Sequence, residues 1–199
     1  LVRGEPLYQV LAKWHNKVTE FFREVIMDWQ LLLVYGFGGV LRVLERALDG
    51  LTPDDLDKQP HPDSNSMGWL TWHLTRYQDD RITAFIGENQ LWVSEKWYAQ
   101  FNRSEDPKDT GIGHSSEQVR AFKSPEVATL LGYHRAVRER TKLYILSLSL
   151  ADLDREINDP RFQQSPRLGG YLVGVLSDNL QHAGQVAYLR GLLKGKGWM

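Results

Sequence analysis

The feature that most restricts this chain is its periodicity. Apolar residues recur at helical spacing through five long segments, and no stretch alternates convincingly as a half-buried strand would. The first segment, 6–26, opens with Pro6 and carries the stripe Leu7, Val10, Leu11, Trp14, Val18, Phe21, Phe22 and Val25. The second, 28–49, carries Leu32, Val40, Leu41, Val43, Leu44 and Leu48. The third, 66–87, has Ser64, Asn65 and Ser66 as caps and Gly87 as its stop. The fourth starts at Ser124-Pro125-Glu126 and runs to about Leu150, and the fifth, 170–194, ends at Gly195.

Between these lie shorter signals. Thr52-Pro53-Asp54-Asp55 predicts a capped helical turn, and 58–66 a loop. Residues 88–123 form a long connection, with a short helical piece near Glu95 to Phe101, a turn at Asp109-Thr110-Gly111 and a cap at Ser115-Ser116-Glu117. A second loop spans 158–169. The pattern predicts an all-α protein: a four-helix bundle over 28–199 with a long crossover connection, preceded by an extra N-terminal helix within 1–27. Amphipathicity predicts that this helical extension packs. A crossover of that length is often a lid or binding loop.

Composition narrows the function. The 199 residues suit one domain, and 42% hydrophobic with 25% charged residues is ordinary for a globular protein. A net charge of −1 gives no global field for nucleic acid or an anionic membrane. The absence of cysteine excludes disulfides, thiolate metal sites and a cysteine nucleophile. The longest apolar run, 31–40, contains Tyr35 and three glycines and is too short to span a bilayer. Charges recur through the first segment, unlike a signal peptide, so the expected location is cytoplasmic.

Chemistry concentrates on two helices. Asp178 and His182 lie one turn apart, on the face of the last helix that also carries Val175 and Leu189. His73 lies on or beside the stripe Leu70, Leu74, Tyr77, Ile82 and Phe85. Facing helices of a bundle build metal sites in this way, and imidazole with carboxylate suits zinc, nickel or iron(II). Three protein ligands leave a position open for water or substrate. Spacing alone also permits a quieter reading, in which Asp178 and His182 simply hydrogen-bond. His15 and His61 read as surface residues, His134 as lying on a packing or solvated face, and Asn179 and Gln181 as structural. His114, in the crossover, is a candidate for contact with the site cavity.

Two motifs carry a family resemblance. The run from Asn65 to Arg76 (Asn-Ser-Met-Gly-Trp-Leu-Thr-Trp-His-Leu-Thr-Arg) resembles the second-helix signature of the DinB/YfiT-like superfamily. Asp178-Asn179-Leu180-Gln181-His182-Ala183-Gly184-Gln185 resembles its last-helix signature, and 186–191 continue the match. The stretches 109–114 and 133–137 are similar to the branch near the mycothiol-dependent maleylpyruvate isomerases. The resemblance covers about 30–194. It implies a DinB-like four-helix bundle, often a homodimer, with a divalent metal on His73, Asp178 and His182. Many members have histidine or glutamate where this chain has Asp178. The segment 1–26 has no recognised counterpart.

The same resemblance implies a metalloenzyme, with zinc or nickel as the metal. It would use a low-molecular-weight thiol, mycothiol or bacillithiol, in S-transfer or isomerisation of a small electrophile. Gln185 and Arg190 are then candidates for supporting the ligands or meeting an anionic substrate, with Arg190 favoured instead as a surface cation near the helix C-terminus. The alternatives are a metal-stabilised stress or small-molecule-binding protein without turnover, and a metal-dependent hydrolase using an activated water. Partners are expected to be a small-molecule substrate and a second copy of the chain, with neither nucleic acid nor membrane.

Overall fold

A computed structural model describes residues 11, 13, 14, 17, 28–157, 165–195 and 197. Four long helices form the body: α1 (Trp29–Leu48), α3 (Met67–Ile86), α7 (Val127–Ser147) and α8 (Leu168–Lys194). Between them lie α2 (Pro53–Asp57), α4 (Leu91–Ser94), α5 (Trp97–Gln100), α6 (Ser116–Ala121) and a 3-10 turn (Leu150–Asp154). No strand occurs among the described residues; Glu156 and Arg167 form an isolated antiparallel bridge. No helix among the described residues is long and apolar enough to cross a membrane.

Helices α1 and α3 each pack against both α7 and α8. In cross-section α3 therefore lies diagonal to α1, and α8 diagonal to α7. Val40, Leu44, Leu70, Leu74, Leu130, Val137, Ala183 and Val186 meet in the shared core. A second cluster around Phe37, Ile82, Ile145, Leu172 and Val175 fills the other end. Burial of each such side chain contributes about 1.5–3 kcal/mol.

The helix ends follow local chemistry. The Ser66 hydroxyl accepts from the Trp69 amide, capping α3, and Gly87 closes that helix in the left-handed region at φ 75°. Thr52 and Asp55 form a reciprocal capping box on α2, as do Ser115 and Gln118 on α6. Ser124 differs from expectation. The cap position of α7 is Glu126, which has no side-chain cap bond. The Ser124 amide instead donates to Asp57, and its hydroxyl fills the space a Cβ on Gly68 would take. Helix α7 also stops at Ser147, short of Leu150.

Residues 11, 13, 14 and 17 are helical, and the rest of the 6–26 segment lies outside the described residues. Leu11 and Trp14 were expected in the packing stripe, yet Leu11 is 57% and Trp14 68% exposed.

The crossover explains an unusual property of α3. Every residue from Met67 to Arg76 is buried, polar ones included, because the crossover covers the face a bundle helix normally turns to water. Arg76, Asp79 and Tyr133 form the hub beneath it. Asp79 accepts from the Leu91 and Trp92 amides at 3.1 and 2.9 Å and from the Tyr133 hydroxyl at 2.7 Å. Arg76 donates to the Asp109 and Pro107 carbonyls at 3.1 and 2.9 Å and to the Tyr133 hydroxyl at 3.1 Å, with its guanidinium over the Trp92 ring. Burial, then the Asp79 charge, raises the Tyr133 phenol well above its ordinary value, so it remains a donor.

A candidate metal centre between two helices

Helix α3 presents His73 and the facing helix α8 presents Asp178 and His182. One ligand atom from each lies within 4.8 Å of the other two. The His73 and His182 rings meet edge to face at 4.9 Å, and His182 Nε2 is 3.6 Å from Asp178 Oδ1. One-turn spacing sets the α8 pair side by side, and α3–α8 packing brings His73 opposite them. His73 is buried, whereas the His182 and Asp178 side chains are 19% and 26% exposed, so the group sits at the edge of the core.

Both imidazoles are oriented from behind. His73 Nδ1 donates to the Thr110 carbonyl at 2.5 Å, and His182 Nδ1 donates to Gln185 Oε1 at 2.7 Å. Each bond fixes the proton on Nδ1 and leaves the Nε2 lone pair for an ion, the arrangement usual for metal-bound histidine. Burial lowers the His73 pKa to about 4, against the bond to the Thr110 carbonyl and with a smaller effect of the neighbouring His182 and His114. His73 is therefore neutral at physiological pH, and a metal would not compete with a proton there.

Asp178 supplies the anionic donor of the group. Its Oδ2 is buried and has no hydrogen-bond partner. Burial raises its pKa, opposed by the neighbouring His182 and Arg81. A buried carboxylate oxygen without a partner is costly, and a cation held by Asp178 with the two imidazoles would remove that cost. The donor set of two nitrogens and one carboxylate oxygen fits zinc, nickel or iron(II), and bonds of about 2.0–2.2 Å suit a group of this size.

The other sequence candidates separate. Gln185 stands where expected, behind His182. His114 lies in the layer behind His73: its Nδ1 accepts from Trp69 Nε1 at 3.2 Å and its Nε2 donates to Asp109 at 3.1 Å. With both nitrogens engaged it is not a ligand, but it holds Trp69, which stacks on His73 at 4.7 Å and 17°. Arg190 lies eight residues beyond His182, about 12 Å along the helix, too far to support the ligands. Nor is it a free surface cation, since its Nε and Nη1 are buried without partners. His61 is on the surface and His134 is buried in packing; His15 lies outside the described residues. Asn179 is structural as expected, donating to Gln78. Gln181 is exposed and donates to Ser177 at 3.3 Å.

The hub of Arg76, Asp79 and Tyr133 was missed in the sequence. Its signals were two opposite charges three residues apart on α3 and an aromatic-rich crossover, neither specific before the fold is known.

The architecture is thus that of an all-α bundle with a metal-capable group between its second and last long helices. The chain belongs to the DinB superfamily, whose profile matches residues 37–186. It is also similar to a solved structure described as a conserved protein from Enterococcus faecalis. That likeness has 26% sequence identity and a TM-score of 0.78, and covers 86% of this chain and 100% of that one. No curated protein matches the chain.

Proposed function

We propose that the chain is a divalent-metal-dependent enzyme that acts with a low-molecular-weight thiol on a small electrophile, by S-transfer or isomerisation, with His73, Asp178 and His182 as ligands. The observation that carries the metal reading is the joint geometry: two Nε2 atoms freed by bonds behind them, and a buried carboxylate oxygen with no partner. Zinc or nickel is the metal proposed. The thiol step follows from family resemblance together with the absence of any cysteine, which obliges a sulfur nucleophile to arrive on a cosubstrate such as mycothiol or bacillithiol.

A bound ion would supply a Lewis acid that lowers the pKa of a thiol or water on its open position. The protein's share is positioning. His73 and His182 supply neutral nitrogen donors, and Asp178 offsets one positive charge. Trp69, stacked on His73, keeps that side dry. Beside the site, a cleft of about 420 Å³ is lined by Asn65, Leu70, Gln181, Gln185, Tyr188 and Leu189, among others. Its size suits a small organic molecule, and no charged side chain lines it. Gln185 belongs both to that cleft and to the backing of His182.

The test loads the protein with zinc or nickel and incubates it with each thiol and a panel of electrophiles. Turnover that is lost in His182→Ala supports the enzyme. A His182→Ala rate equal to wild type removes the site from catalysis. Metal uptake without thiol binding at about millimolar concentration favours a metal-stabilised binding protein instead. We further propose a cytoplasmic homodimer, which sedimentation of the full chain would test.

A further inference from the structure

The hub under the crossover and the metal group share one short stretch of backbone. Arg76 follows His73 by three residues on α3, so both side chains leave the helix toward the same segment, Pro107 to Gly111. Arg76 places Nη2 on the Pro107 carbonyl at 2.9 Å and Nε on the Asp109 carbonyl at 3.1 Å. The next carbonyl, that of Thr110, accepts from His73 Nδ1. Gly111 then turns away at φ +87°, where a Cβ would lie 2.9 Å from His73 Nδ1 and 2.9 Å from the Trp69 ring.

The guanidinium is fully buried and held in turn. Tyr133 receives its third bond, Asp79 lies 3.6 Å away, and Trp92 lies under its plane. A planar fork fixed on three sides sets the position of the carbonyls it binds, as a flexible ammonium would not. The far side of the segment is fixed as well, because Arg103 and His114 both bind the Asp109 carboxylate.

We propose that Arg76 is a positioning residue for the metal centre: by clamping the Pro107 and Asp109 carbonyls it sets Thr110 against His73 Nδ1 and so aims His73 Nε2 at the ion. This rests on the metal reading of His73, Asp178 and His182. A histidine side chain free in water favours the opposite tautomer, with the proton on Nε2, which would block the ligand position. The Thr110 carbonyl reverses that preference.

The experiment reads the tautomer directly in metal-free protein, by long-range proton–nitrogen NMR of protein labelled with 15N-histidine. Wild type is expected to show His73 with its proton on Nδ1. Arg76→Lys keeps the charge but loses the fork. It is expected to move His73 toward the Nε2–H form, leave His182 unchanged, and weaken Zn²⁺ binding by about 10–100-fold in a chelator competition. A folded Arg76→Lys with His73 tautomer and Zn²⁺ affinity unchanged overturns the proposal. If Arg76→Lys does not fold, Tyr133→Phe takes its place, since it removes only the hydroxyl that fixes Arg76 Nη1 and so loosens the fork while keeping the guanidinium in the core. The same tautomer shift supports the proposal, and none overturns it. If wild type binds no Zn²⁺ but the variants still shift the tautomer, the metal reading fails while the positioning stands. Wild-type His73 with its proton on Nε2 overturns the positioning whether or not Zn²⁺ binds.

Discussion

Two buried polar groups sit on neighbouring faces of the same helix, and they are finished differently. Toward the crossover, each side-chain nitrogen and oxygen of the Arg76–Asp79–Tyr133 hub has a hydrogen-bond partner among backbone amides, carbonyls, Thr83 and the hub itself. Toward α8, one ligand atom from each of His73, Asp178 and His182 lies within 4.8 Å of the other two, and Asp178 Oδ2 is buried without a hydrogen-bond partner. The first group holds a loop on a helix. The second leaves a buried carboxylate oxygen beside two imidazoles without a partner, a place a cation could fill. Polar burial alone does not distinguish the two groups; the unpartnered carboxylate oxygen does.

The comparison makes predictions of different size. The largest concerns the hub. Asp79→Asn would set an NH2 group against either the Leu91 or the Trp92 amide and leave Arg76 without its counter-charge. It should lower unfolding free energy in denaturant titration by about 3–5 kcal/mol. His182→Ala should do the reverse: Zn²⁺ affinity falls at least about 100-fold, while metal-free stability changes by less than about 1 kcal/mol, because no packed network is broken. If both variants lose stability alike, the two faces are not different in kind.

Next is acid. His134 is buried with Nδ1 3.1 Å from the Thr75 hydroxyl, and burial, then Arg138 and Arg135, lowers its pKa to about 3. In the unfolded chain it takes up a proton near pH 6.5. The unfolded state therefore binds more protons between these values, and stability should fall as pH drops from about 6.5 toward 3. His134→Gln should flatten that decline in melts at stepped pH. The same slope in the variant would remove His134 as a cause.

The smallest effect, and the sharpest, is on the ligand sphere. Gln185→Ala frees His182 Nδ1 and should weaken Zn²⁺ by about tenfold. Asp178→His should tighten Zn²⁺ binding if the position touches the ion; unchanged affinity places Asp178 beyond its reach.

Much of this was legible in the sequence, for local reasons. Ser66 and Gly87 bound α3 because capping depends on near neighbours, and Asp178 and His182 share a face because helical spacing dictates it. His73 was legible as a position, but its orientation depends on Thr110, 37 residues away. Ser124 misled because its partners, Asp57 and Gly68, come from other elements. Arg76 and Asp79 were not singled out, since nothing local shows that a crossover will cover them. Arg190 was read as a surface cation because a helix C-terminus explains a cation locally, whereas its burial depends on the whole bundle.

The central claim is that the group between α3 and α8 is a metal centre. The most direct measurement is elemental analysis of chain purified without a chelating column, followed by titration with Zn²⁺ and Ni²⁺. The account predicts saturable uptake near one equivalent, lost in His73→Ala and His182→Ala. Less than about a tenth of an equivalent as purified, with no uptake on titration, would contradict it.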